Sequence, residues 1–341
     1  MPLTPTARDL VADRRARLRR VRDTVTIDAD THPSDPASYP PALAERVARD
    51  PNYWQGRPVT GDELLRELDH AGVDMALCWQ NPAVTVYGRD TEENLDRLLA
   101  ANRYIFRLAS DHPDRIVPGG WTDPKALGVA NAIRLAQICV EEFGFPIVKM
   151  NPAQNAYPIT DPIVAQTVDA IVALGAIPTF HFGGDGPYTP PEGFASIAAR
   201  HPDHPIIGVH MGGGGSHFVE GDATYVGARE IGLAHENIFY ILSAKRDTHI
   251  ESALITYRLA GPRAWHRLAI GSDLPYGRPT WNFGGMRAML AALADGSGSN
   301  DPRLRENPHL FDGDAARDVL GRNFADLIIA ADSRLLGEAT A

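Results

Sequence analysis

The sequence predicts an α/β fold, a single-domain (β/α)8 barrel of the TIM type. Three observations carry that prediction. Short β-branched runs alternate with segments of helical spacing, several of the runs are continuously apolar, and the unusual polar residues fall at the C-terminal ends of the runs. Continuous apolar strands belong to a parallel sheet covered on both faces. Eight strand–helix units spread over about 250 residues suit a closed barrel better than an open sheet.

Residues 1–24 precede the barrel as a helical extension. Their arginines alternate with Leu and Val at helical spacing, which predicts an amphipathic lead-in helix with a face to pack on a partner subunit. There is no apolar core of a secretory signal, and Asp9, Asp13 and Asp23 interrupt the basic face, against a membrane anchor. The barrel, 25–332, opens with the strand VTIDAD from Val25, followed by a long first βα loop from Pro33 to Pro58 rich in Pro, Tyr and Trp. Thr60 is placed to cap the helix in TGDELLRELDHAG, and Gly72 to end it. Strands follow in VDMALCW from Val73, IVPGGW from Ile116 and PIVKMN from Pro146. TDPIVAQTVDAIVALG repeats the helix design, with Asp161 or Thr160 at its start and Gly175 at its end. The last four strands are AIPTFHF from Ala176, PIIGVHM from Pro205, NIFYILS from Asn237 and RLAIGSD from Arg267. Only LADGSGSNDPRLRENPH has the composition of a flexible stretch, and no repeat is visible beyond the βα rhythm.

The 341-residue chain is long enough to bury a large core without staples, and its net charge of −10 argues against nucleic acid or anionic lipid as the main partner. Cys78 and Cys139 lie in apolar surroundings without CxxC spacing, as expected of a reduced, cytoplasmic protein. No apolar run approaches the length of a transmembrane span.

Along the first strand Asp28, Asp30 and His32 share one face, a poor arrangement for a core element. The other strand ends add Lys149 and Asn151, then His181, His210 and Asp273. In a barrel these ends converge on one mouth. Asp30, His32, His181 and Asp273 form a mixed imidazole and carboxylate set that suits one Zn²⁺ ion and also accepts Mn²⁺ or Fe²⁺. A divalent ion offsets the cost of clustering two carboxylates at a partly buried site. Asp28 either replaces Asp30 as a ligand or lies one layer deeper as an acceptor. Lys149 is a structural lysine, a clamp for a substrate carboxylate, or a carbamylated bridge between two metals. The histidines at 70, 112, 201, 204, 235, 249, 266 and 309 lie in helices or loops and are read as ordinary hydrogen-bonding groups. After His210 and Met211 come four glycines whose backbone can approach a ligand closely or form a turn, with His217 at the rim.

IDADTH, LDHAGVD, HPDRIVPGG, HMGGG, GSDLPYG and GRNFADLI, in that order and at those strand ends, resemble the amidohydrolase superfamily, in particular the branch of aminocarboxymuconate semialdehyde decarboxylase. The resemblance runs from about Ile27 to Leu327. It implies metal ligation by Asp30, His32, His181 and Asp273, with His210 as an acid/base outside the ligand set. Asp30 departs from the best-known member, which has His there. Related aromatic-acid decarboxylases carry a carboxylate, and the extra negative charge shifts preference from Zn²⁺ toward Mn²⁺.

The activity so implied is non-oxidative decarboxylation of a small aromatic or conjugated carboxylic acid, with the proton delivered by His210 or Asp273. Arg57, Lys149, Lys245 and Arg246 are candidates to hold an anionic group, with Asn151 beside them at the strand end. Trp54, Tyr157, Tyr188, Tyr276 and Trp281 are placed in mouth-side loops as walls for a planar substrate. A metal-dependent hydrolase or hydratase using an activated water is the alternative, and a silent binding barrel the third. The resemblance also implies a homodimer.

Overall fold

The structure, a computed structural model, describes residues 3–49, 57–183, 187–213, 223–243, 247–296 and 299–338. Its strands are β1 (Ile27–Thr31), β2 (Met75–Cys78), β3 (Ile116–Pro118), β4 (Gly120–Trp121) and β5 (Ile147–Met150). They continue as β6 (Ile177–Gly183), β7 (Ile206–Gly212), β8 (Ile238–Leu242) and β9 (Leu268–Ile270). Every paired neighbour runs parallel, in the orders β1–β2–β3 and β4 through β9.

The third expected strand is therefore two pieces. Pro118 ends β3 and has no N–H to continue a ladder. The Gly119 N–H still donates to the Cys78 carbonyl at 2.8 Å, after which Gly120 and Trp121 pair with Val148 and Lys149 on β5. At the other seam Asp273 N–H donates to the Asp30 carbonyl at 2.9 Å and His32 N–H to the Leu274 carbonyl at 2.8 Å. These bonds join the segment after β9 to β1 and close the ring.

The helix ends follow the local chemistry. Thr60 Oγ1 accepts from Glu63 N–H at 3.2 Å while Glu63 Oε2 accepts from Thr60 N–H at 2.8 Å, a reciprocal cap for the Gly61–Ala71 helix. Asp161, rather than Thr160, caps the Pro162–Ala173 helix through Ile163 N–H at 3.0 Å. Asn323 begins the closing helix, Asn323–Leu335, and its Nδ2 donates at 3.0 Å to the carbonyls of Trp265 and Leu268. That amide fixes the entry into β9.

The N-terminal helix, Pro5–Val21, buries Ala7, Val11, Arg14 and Leu18. Its buried face lies against the closing helix of its own chain. Arg14 Nε donates to Asp332 Oδ2 at 3.0 Å, and Nη2 reaches Asp332 Oδ1 at 2.5 Å and the Gly144 carbonyl at 2.8 Å. Among the described residues no helix is long and apolar enough to cross a membrane.

Candidate metal centre

β1 carries both inward carboxylates into the barrel, and the structure separates their roles. Asp28 is fully buried; its Oδ1 accepts from Ser272 N–H at 2.8 Å and Asp30 N–H at 3.3 Å. Its Oδ2 has no hydrogen-bond partner among the described residues, and burial pushes its pKa up to about 7. Asp28 ties β1 to the segment after β9.

Asp30, His32 and Asp273 come together above it. Each offers one ligand atom, and these atoms lie within 4.8 Å of one another. His32 Nδ1 donates to the Gln80 carbonyl at 2.7 Å, which fixes the tautomer. Nε2 then faces Asp30 Oδ1 at 3.4 Å and Asp273 Oδ1 at 3.6 Å. A backbone carbonyl behind the ring is the usual support of a ligating imidazole. Gly271 lets the two strands meet this closely, since a Cβ there would stand 2.6 Å from Asp30 Cβ.

Asp30 is fully buried yet ionised. Burial raises its pKa, but Lys149, His32 and His210 outweigh that and hold it well below the usual carboxylate range. Lys149 Nζ stands 3.5 Å from Asp30 Oδ1 and 4.0 Å from the centroid of the Trp79 ring, with the Trp121 ring at 5.1 Å. Burial pulls the Lys149 pKa down, against the pull of Asp30 and Asp273. Trp79 Nε1 completes the support of Asp30, donating to Oδ1 at 3.0 Å.

A relay leads from Asp30 to His210. Ser243 Oγ donates its one proton to Asp30 Oδ2 at 2.6 Å, so it accepts from His210 Nδ1 at 2.9 Å. This leaves Nε2 as the lone-pair nitrogen of His210. Burial, reinforced by His181, holds the His210 pKa well below its ordinary value and keeps the ring neutral. His181 lies outside the three-residue cluster; its ring meets that of His210 edge to face at 4.6 Å.

Backbone strain marks the same place. His210 (φ +76°), Met211 (φ +44°) and Asp273 (φ +58°) adopt the left-handed region, which costs about 1–3 kcal/mol for a non-glycine residue. Beyond Met211, Gly212 (φ +76°) crosses Gly183 so closely that a Cβ on Gly183 would stand 2.3 Å from the Gly212 backbone. The first glycine after Met211 therefore makes a close strand crossing.

The substrate-side candidates divide. Tyr276 edges the His32 ring at 6.3 Å and donates its hydroxyl to Asn81 Oδ1 at 3.1 Å. Asn151 is buried and its Oδ1 caps a turn, accepting from Gln154 N–H at 3.1 Å. Arg57 pairs with Glu63 at 2.9 Å beside the start of its helix. Tyr157 is buried, and its hydroxyl has no hydrogen-bond partner among the described residues. Trp281 sits in the first turn of the Pro279–Asp295 helix rather than in a loop, 65% exposed, with the Arg278 guanidinium 5.3 Å from its ring. Tyr188 is half-buried, and its carbonyl accepts from Ile159 N–H at 2.7 Å. Trp54, His217, Lys245 and Arg246 lie outside the described residues.

The sequence reading passed over Trp79, Gln80, Trp121 and Ser243. The two tryptophans close the second and third expected strands, so the rule that singled out the polar strand ends would have found them. Ser243 closes the seventh expected strand, NIFYILS, and the same rule covers it.

The family model described as amidohydrolase matches residues 27–284. No curated protein matches the chain. Among solved structures it is similar to 5-carboxyvanillate decarboxylase from Novosphingobium aromaticivorans, solved with bound manganese and 3-methoxy-4-hydroxy-5-nitrobenzoic acid. That likeness has 14% identity and a TM-score of 0.59, over 90% of this chain and 97% of that one. It is also similar to 2,6-dihydroxybenzoate decarboxylase from Rhizobium (15%, TM-score 0.56, 85% and 99%). 4-Oxalomesaconate hydratase from Rhodopseudomonas palustris shares the fold too (16%, TM-score 0.50, 86% and 95%).

Proposed function

The chain belongs to the amidohydrolase family, and from that premise we propose that it is a metal-dependent, non-oxidative decarboxylase of a small aromatic or conjugated carboxylic acid. The convergence of Asp30, His32 and Asp273 beside a buried lysine carries the proposal. The donor set fits a divalent ion: one carboxylate is ionised despite full burial, and the imidazole is held from behind with Nε2 toward both carboxylates. Asp30, His32 and Asp273 would hold the ion, with His181 as the remaining candidate ligand. We assign Zn²⁺, with Mn²⁺ the alternative that the extra carboxylate favours. Such an ion supplies a Lewis acid for a carboxylate or an adjacent hydroxyl.

The chain's own residues then divide the work. Lys149, packed on Trp79 and Trp121, places a cation where an anionic substrate group would sit. His210 rests neutral, its Nδ1–H committed to Ser243, and offers Nε2 as an acceptor for a substrate hydroxyl. That leaves Asp273 as the better placed proton donor. Its proton adds to the carbon bearing the carboxylate, the bond to that carboxylate breaks, and CO2 leaves. A homodimeric, cytoplasmic enzyme completes the proposal.

A panel of hydroxybenzoates and conjugated enol acids, monitored for CO2 release, tests it. Release from at least one acid, abolished by Asp273→Asn, is expected. Cleavage of esters, lactones or amides with no CO2 from any acid would move the site to the hydrolase reaction instead.

A further inference from the structure

β9 ends at Ile270, and Asp273 reaches the cluster beside β1 from the segment that follows. It does so with φ +58°, a conformation that a non-glycine residue keeps only where its surroundings over-determine it. The peptide plane between Ser272 and Asp273 shows what holds it. One end of that plane, the Asp273 N–H, donates to the Asp30 carbonyl at 2.9 Å. The other end, the carbonyl of the buried Ser272, accepts from Asn282 Nδ2 at 2.8 Å. No backbone N–H among the described residues donates to that carbonyl. Rotating a peptide plane changes φ of the residue that follows it, so the Asn282 amide acts directly on Asp273.

Asn282 is itself anchored. It sits in the Pro279–Asp295 helix, and Arg278, the residue before that helix, grips Glu67 on the Gly61–Ala71 helix. Arg278 Nε and Nη2 donate to the Glu67 carboxylate at 3.0 and 2.7 Å. Between Asp273 and the helix the chain turns tightly: the Asp273 carbonyl accepts from Tyr276 N–H at 2.7 Å and from Gly277 N–H at 2.9 Å. Gly277 leaves the room the contact needs, since a Cβ there would overlap the Ser272 carbonyl oxygen and stand 2.8 Å from Asn282 Nδ2.

We propose that Asn282 is a positioning residue of the metal centre, an inference that rests on the reading of Asp273 as a metal ligand. It holds the Ser272–Asp273 peptide so that the Asp273 carboxylate faces His32 Nε2, where Oδ1 stands 3.6 Å away. Without the amide, a buried carbonyl is left unmatched and the peptide gains by turning toward another donor. That rotation carries the carboxylate out of the cluster.

Asn282→Ala and Asn282→Asp test the proposal in the full chain; the second keeps the outline of the side chain and removes its donor. Each is expected to raise the Zn²⁺ dissociation constant about fivefold, the loss of one hydrogen bond, in competition against a chromophoric chelator. A bond that only added global stability would lower the melting temperature and leave the affinity of the folded protein unchanged. Hydrogen exchange of the metal-free protein reads the turn without the ion. The amides of Tyr276 and Gly277 are expected to exchange about fivefold faster in both variants, with those of β6 unchanged. A Zn²⁺ affinity within twofold of the parent in both variants would overturn the proposal. So would exchange at Tyr276 and Gly277 that matches the parent or rises only in step with β6. A parent that binds no Zn²⁺ would overturn the metal centre itself, a failure seen in the parent alone; failure of Asn282 shows only in the ratio of variant to parent.

Discussion

Ser243→Ala cuts the relay between Asp30 and His210. Ser243 is buried, and its hydroxyl spans Asp30 Oδ2 at 2.6 Å and His210 Nδ1 at 2.9 Å. A short hydrogen bond to a buried carboxylate is worth about 1.5–3 kcal/mol. Part of the loss is offset, because His210 Nδ1 keeps the Ser243 carbonyl at 3.3 Å and Asp30 keeps Trp79 Nε1 at 3.0 Å. The net is about 2 kcal/mol, or about a thirtyfold rise in the metal dissociation constant if the lost support acts through Asp30. Competition against a chromophoric chelator measures that constant directly, and Ser243→Thr, which keeps the hydroxyl, should stay within about threefold of the parent. A metal affinity within twofold of the parent in Ser243→Ala would refute the reasoning.

Three further outcomes are expected. Arg14→Leu strands the fully buried Asp332 carboxylate and should cost about 3–5 kcal/mol in urea unfolding, most of it regained in Arg14→Leu/Asp332→Leu; a cost under about 1 kcal/mol would show the pair to be inert. His204, half-buried with Nε2 donating to the Ala176 carbonyl at 2.8 Å, has its pKa lowered by burial to about 4. The folded value lies below the unfolded one, so its contribution is full above pH 6.5 and is lost as pH falls from 6.5 toward 4. That contribution is at most about 3 kcal/mol, and about 1–2 kcal/mol after solvent screening. His204→Gln, which keeps the donor, should flatten that part of the stability profile, and an unchanged slope would contradict the assignment. Lys149→Met keeps the packing on Trp79 and Trp121 but removes a cation beside the ligands, so a divalent ion should bind more tightly by on the order of tenfold. Weaker metal binding in Lys149→Met would instead make the lysine part of the site's support.

What could be read from the chain was whatever strand registration alone decides. Asp30, His32, His210 and Asp273 were found because a barrel brings strand ends to one mouth, whatever their separation in sequence. Thr60, Asp161 and Gly72 were found because helix caps are local chemistry. Ser243, the last residue of the expected strand NIFYILS, escaped because a serine there is commonplace, and its value arises from Asp30, 213 residues away. Trp281 was legible and missed, since Pro279 two residues earlier is a good first residue for a helix. The choice between Asp28 and Asp30 needed coordinates, because both lie on the same face of β1 and only depth separates them.

Metal content by plasma mass spectrometry, on protein purified without chelators and beside Asp273→Asn, tests the central claim most directly. One equivalent of zinc or manganese per chain in the parent, clearly lost in the variant, is the predicted result. No metal even after reconstitution, or an equivalent that survives Asp273→Asn undiminished, would contradict the assignment of Asp30, His32 and Asp273 as the metal centre.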